Sequence, residues 1–148
     1  MNITDIKKAW AEDSVIDSDD LFGESIRCGI LHSKYLNIRT DHSLILKKLI
    51  IEYNQALSFY QNYYSGKYNH AEYEEMLKAK GLEFVKIKYM KTEIQKTIDA
   101  DPAIVNILMK KAVTEEIVLY CDEVIKQIHS RQFAIKNAID WRKFESGN

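Results

Sequence analysis

The stretch from Ser58 to Tyr64 carries three tyrosines and a phenylalanine in seven residues, and Ser65-Gly66-Lys67-Tyr68 follows it. Flat rings beside lysines are suited to a chain of phosphates with unpaired bases: ammonium groups follow the phosphates, and a ring face stacks on any base for ~1–3 kcal/mol. Rings at helical spacing are equally ordinary core material. Spacing divides the two roles. Ile45, Leu49, Tyr53, Ala56, Tyr60 and Tyr63 step by threes and fours, so Tyr53, Tyr60 and Tyr63 belong to a packed stripe. Tyr64 and Tyr68, beside Gly66 and Lys67 at the end of that stripe, are expected to be the accessible pair.

Charge supports the same region. Residues 1–25 hold two lysines against seven carboxylates, whereas residues 76–96 hold six lysines against two. The net charge of −1 therefore hides an acidic head and a basic middle. Lys47, Lys48, Lys67, Lys86 and Lys88 are the candidates for phosphate contact.

Other chemistries lack their residues. No GxxxxGK[ST] loop could cradle a triphosphate, and no HExxH or Glu-x-x-His pair could hold zinc or a di-iron centre. The acidic run Asp17–Asp20 fails as an EF-hand, because its twelfth position is Cys28 instead of glutamate. His32, His42, His70 and His129 are isolated in sequence, and Cys28 and Cys121 sit in apolar patterns as small hydrophobes. No metal, cofactor or enzymatic activity is expected. No apolar run reaches the ~20 residues of a membrane span, and the first residues lack a signal-peptide core, so a cytosolic address is expected.

The elements that must position these residues are helical. One proline and five glycines leave few sites for the turns of a sheet. Ile3, Ile6 and Trp10 mark a short amphipathic helix, and Ser18 with the two following aspartates reads as the N-cap of the next. That helix should carry Leu21, Phe22, Ile26, Ile30 and Leu31 on its apolar stripe, with an interruption at Thr40 or Asp41. Val85, Ile87 and Tyr89 alternate with Lys86 and Lys88 as a short strand would, while Phe84, Ile87, Ile94 and Ile98 also fit a helix; the strand is the favoured reading. Asp101-Pro102 starts a final helix, on which Ile117, Cys121, Val124, Ile128, Arg131, Ile135 and Ala138 repeat by fours and threes. So long a stripe favours self-association, for which Ile128, Ile135, Ile139, Trp141 and Phe144 are the candidate oligomerisation residues.

The expected fold is mainly α: a long helical hairpin-like bundle with a long C-terminal oligomerisation helix and one short β element around residues 83–90. As a single domain over 1–148 it comprises an acidic N-terminal helix (1–17), central helices (18–66), a variable basic segment (67–100) and the C-terminal helix (102–145).

The segment HSRQFAIKNAIDWRKFESG, from His129 to Gly147, resembles the closing segment of the UvsY family of phage recombination mediators. VIDSDDL, LHSKYLN, YYSGK, MKT and IDAD fall in that family's order. The resemblance implies a noncatalytic, ring-like homo-oligomer, a hexamer or heptamer, that binds single-stranded DNA in the host cytoplasm. It also implies two protein partners: a phage single-strand-binding protein and a UvsX-type recombinase, whose loading it would promote. The candidate DNA-binding set is then Lys47, Lys48, Tyr64, Lys67, Tyr68, Lys86 and Lys88, with Arg131 and Lys136 in the closing segment. In one member of that family a lysine and an arginine, two apart, lie just before the Tyr-Tyr-Ser-Gly turn and are associated with DNA binding; the aligned positions here are Ser58 and Tyr60, to which that charge role does not carry over. The competing expectation is a helical scaffold without DNA binding, its lysines merely a solvated face.

Overall fold

The computed structural model describes residues 1–67, 69–84 and 88–147, with the backbone alone at His70. Five helices follow in order: α1 (Ile3–Asp13), α2 (Leu21–Ser65), α3 (His70–Lys80), α4 (Lys91–Asp99) and α5 (Pro102–Glu145). The chain is mainly α. Of the β element expected around residues 83–90, positions 83–84 and 88–90 carry no strand, and Val85, Lys86 and Ile87 lie outside the described residues.

Caps explain the helix boundaries. Asn2 Oδ1 accepts from Asp5 N at 2.9 Å while Asp5 Oδ2 accepts from Asn2 N at 3.3 Å, a reciprocal box that starts α1. The start of α2 corrects the sequence expectation. Asp20 caps it, not Ser18: Asp20 Oδ1 accepts from Gly23 N at 2.9 Å, whereas Ser18 and Asp19 lie in a turn closed by Asp17 Oδ1 on Asp19 N. A Cβ at Gly23 would collide with the Asp20 carboxylate, so glycine lets the cap fold over the helix end. The helix also runs through Thr40 and Asp41 without the expected interruption, because Thr40 Oγ1 donates back to Leu36 O at 2.8 Å and leaves the ladder intact. Gly81, at φ 65°, closes α3 in the left-handed conformation that glycine adopts without strain. Asp101 Oδ1 accepts from Ala103 N at 2.9 Å and starts α5 behind Pro102.

The chain forms two compact units: Met1–Leu46 with Val113–Asn148, and Lys47–Ala112. Both α2 and α5 contribute to each. In the first unit Leu21, Cys28, Leu31 and Tyr35 of α2 meet Ile117, Cys121, Val124, Ile128 and Ile135 of α5, with Ile6 of α1 fully buried among them. Trp10 joins α1 to both long helices, its ring edge-on to Tyr35 at 5.4 Å and its indole N–H donating to Gln127 Oε1 at 3.0 Å. The α2 stripe is thus narrower than its hydrophobic residues suggest. Phe22, Ile26 and Ile30, expected within it, are exposed on another face.

In the second unit Phe59, Tyr60 and Tyr63 of α2 pack with Leu77 of α3, Ile98 of α4 and Ile104 of α5. Tyr63 donates its hydroxyl to Glu83 O at 2.7 Å, fastening the segment after α3 to α2. The rings of the tyrosine-rich stretch therefore hold the two short helices, α3 and α4, against the start of α5.

Candidate nucleic-acid interface

Charge separates along the two units. The second unit carries eleven lysines against eight carboxylates, a formal +3, and the first ten basic residues against fourteen carboxylates, a formal −4. Lys47 and Lys48 are exposed on α2, Lys67 follows Gly66 just past its end, and Lys88 is exposed before α4. None of these four makes an ion pair among the described residues. Their ammonium groups remain solvated, the state from which phosphates are neutralised with release of counterions. Lys78 differs, pairing with Glu74 at 3.0 Å, and Lys80 lies over the Phe59 ring at 4.9 Å.

The same unit holds an aromatic cluster with internal order. Phe59 is nearly parallel to Tyr63, at 6.1 Å and 8°, and to Tyr73 of α3, at 5.5 Å and 10°. Tyr60 meets Phe59 edge-on at 5.1 Å. Such offset and edge contacts suit ring quadrupoles and add rigidity beyond burial alone.

Tyr64, expected to be accessible, is half-buried. Its ring contacts Tyr60, Tyr63 and Tyr89, and its hydroxyl donates to Asp101 Oδ2 at 2.8 Å. Burial, and then that hydrogen bond, raise its phenol above the ordinary tyrosine value. Asp101 therefore serves two elements at once, capping α5 with one oxygen and tethering α2 with the other. Three ring contacts and the hydroxyl bond thus tie Tyr64 into the framework while leaving it partly exposed. Tyr68 and Lys86 lie outside the described residues.

The first unit corrects three further expectations. Arg131 is 6% exposed. It donates to Asp13 O at 3.1 Å, Ser14 O at 2.7 Å and Val15 O at 3.0 Å, and it is paired with the Glu24 carboxylate. An arginine that closes the C-terminal end of α1 is not available to a phosphate. Ile128 and Ile135, expected to meet another subunit, are 1% and 2% exposed inside this unit's own core, because the heptad stripe of α5 faces α1 and α2. Ile139 is half-buried at the edge of that core, whereas Trp141 and Phe144 are exposed with rings 5.7 Å apart. Lys136 is exposed, in the acidic unit.

One feature lay beyond sequence reasoning. Asn54, Gln55, Ser58 and Asn62 of α2 line an open cleft of about 500 Å³ whose other wall is Tyr73 and Met76 of α3. Ser58 is exposed in this cleft and Tyr60 is buried. The polar row at four-residue steps is visible in the sequence, but only the fold shows which side of it α3 covers.

Comparison with known proteins adds the following. A family described as "Recombination, repair and ssDNA binding protein UvsY" matches residues 9–148. The recombination protein uvsY of Enterobacteria phage T4 is 31% identical, over 99% of each chain. A crystal structure of the bacteriophage T4 recombination mediator protein UvsY, lattice type II, superposes with a TM-score of 0.83 at 27% identity, covering 99% of this chain and 98% of that one. Lattice type I of the same protein gives 0.81 at 27% identity, over 95% and 98%.

Proposed function

The chain belongs to the UvsY family of recombination, repair and single-stranded-DNA-binding proteins, and on that premise we propose that it is a noncatalytic recombination mediator. In this reading it assembles into a hexameric or heptameric ring in the host cytoplasm and holds single-stranded DNA. There it contacts the single-strand-binding protein and promotes loading of a UvsX-type recombinase.

The observation that carries the DNA-binding part is the exposure of Lys47, Lys48, Lys67 and Lys88 on the one unit with positive formal charge, each without an ion pair among the described residues. Assembly finds support elsewhere. Phe22 (76% exposed), Phe133 (70%) and Phe144 (73%) leave large apolar side chains of the first unit uncovered. The two parts work together. A few phosphate contacts per subunit bind weakly, but several subunits on one strand raise avidity by ~10²–10⁴ without any new contact.

Titration onto a labelled polythymidine strand, with mass measured by ultracentrifugation on the same samples, tests the reading. Tight binding by an oligomer is expected, with polycytidine bound about as well. Assembly without strand binding would instead identify a scaffold.

A further inference from the structure

We propose that His32 of α2 and His129 of α5 form a binding site for a zinc-class divalent ion, an inference independent of the DNA-binding reading. The two histidines are isolated in sequence, and the first unit brings their rings to 5.4 Å between centres, with planes at 83°. That spacing is the first argument. A zinc ion ~2.1 Å from an imidazole nitrogen lies roughly 3.2 Å from the ring centre, so two rings on one tetrahedral ion have centres about 5.3 Å apart. Each ring turns about its own metal–nitrogen bond, so near-perpendicular planes are compatible with a shared ion.

The second argument is the state of the ring nitrogens. His42 illustrates a histidine used by the framework, with Nδ1 2.9 Å from Ile38 O and Nε2 3.2 Å from Met1 O. Neither His32 nor His129 makes a hydrogen bond or an ion pair among the described residues, and the two meet through their rings alone. Their nitrogen lone pairs stay available in the neutral form. Imidazole suits zinc, copper(II) and nickel(II), whereas magnesium and calcium prefer oxygen.

The third argument is rigidity with access. His32 directly follows Leu31 and His129 directly follows Ile128, 3% and 1% exposed in one core, so the packing of α2 on α5 fixes both backbones. His32 is half-buried and His129 exposed, so an ion reaches the pair from solvent. Gly29, one turn before His32 on the same face, leaves room beside it: a Cβ there would meet nothing within 4 Å. The surroundings suit a cation. The unit has a formal charge of −4, and Lys126, one turn before His129, is paired with Glu123 at 2.6 Å. Among the described residues no group of three His, Cys, Asp or Glu side chains converges, so water takes the remaining positions and the affinity is below that of a four-ligand structural site. Such an ion pins α2 to α5 and stabilises the first unit by mass action.

The test uses the full chain, freed of metal by a chelator and without DNA, titrated with zinc and separately with magnesium. One zinc ion per subunit is expected in calorimetry, with a raised melting temperature that magnesium does not reproduce. With copper(II) as a probe, electron paramagnetic resonance should show two imidazole nitrogens on the ion. His32→Ala and His129→Ala are each expected to weaken zinc binding by about 100-fold or more, since even an outer partner of a ligand is worth ~10–100-fold, and to remove the melting shift. His42→Ala should keep zinc binding. Because His32 borders the core, His129→Gln at an exposed position is the second probe: it should lose zinc binding while the metal-free melting temperature stays unchanged. Zinc binding that survives in both His32→Ala and His129→Gln, or a wild-type chain that shows no saturable zinc binding, would overturn the inference and leave the DNA-binding reading untouched.

Discussion

Arg131 and Glu24 form an ion pair inside the first unit, their side chains only 5% and 8% exposed, and the same guanidinium gathers the last carbonyls of α1 and of the turn after it. Burying two charges is tolerable because the pair and three carbonyls replace water, with Arg131 Nε alone buried without a partner among the described residues. Removing one partner strands the other. Arg131→Ala is therefore expected to cost roughly 3–5 kcal/mol, measured by urea unfolding. It should leave the salt dependence of DNA binding unchanged, as a framework residue must.

Acid should loosen the same corner. Burial alone would raise Asp13 and Glu24. Hydrogen bonds from Lys34 and Tyr35 to Asp13, and from Asp17 N and Arg131 to Glu24, with the charges of Lys34, Arg131 and Arg27, hold both below their ordinary values of 3.8 and 4.5. Since the folded values lie below the unfolded ones, the unfolded chain binds more protons in that window. The stabilisation is complete above the ordinary values and is lost as pH falls through the depressed ones. Melting temperature followed downward from pH 5 should fall, and Asp13→Asn should reduce the steepness of that fall.

Two neighbouring tyrosines should separate packing from tethering. Tyr60, 6% exposed in the second core, is expected to cost roughly 3–5 kcal/mol as Tyr60→Ala, as large-to-small changes in cores do. Tyr64→Phe keeps the ring and loses only the hydrogen bond to Asp101, for which about 1.5–3 kcal/mol is expected because the acceptor is a carboxylate. Chemical denaturation of both variants checks the order.

Self-association should depend on exposed rings and not on the α5 stripe. Phe133→Glu with Trp141→Glu, at positions 70% and 60% exposed, is expected to lower the oligomer mass in ultracentrifugation while helicity is retained. Ile135→Glu, in contrast, places a charge in the first core and should unfold that unit at any protein concentration.

Much of this was legible from residue spacing. The four-and-three repeat of α5, the Asp101-Pro102 start and the packing of Tyr60 and Tyr63 all follow from local periodicity and capping chemistry. Where the reading failed, a distant partner decided the outcome. Arg131 occupies a core step between Ile128 and Ile135, and Glu24 a core step between Leu21 and Cys28. A lone charge in each of two apolar stripes was the available signal that the two meet. Asp20 displaced Ser18 as the cap because its carboxylate reaches Gly23 N, a geometry that several adjacent cap formers make ambiguous. Tyr64 looked fully accessible beside a glycine turn, but Asp101, 37 residues away, holds its hydroxyl and Tyr89 meets its ring. The cleft depends on α3, whose weakly patterned sequence did not disclose which face of α2 it would cover.

The central claim is that lysines of the second unit hold the strand, and the salt dependence of affinity tests it most directly. Polythymidine binding should fall linearly on a log–log plot, with a slope of ~0.7 for each phosphate neutralised. Lys47→Ala with Lys48→Ala should flatten that slope by at most about 1.4 for each engaged subunit, and adding Lys67→Ala and Lys88→Ala should flatten it further. A slope unchanged after all four replacements, or the absence of binding to any single strand at low salt, would contradict the account.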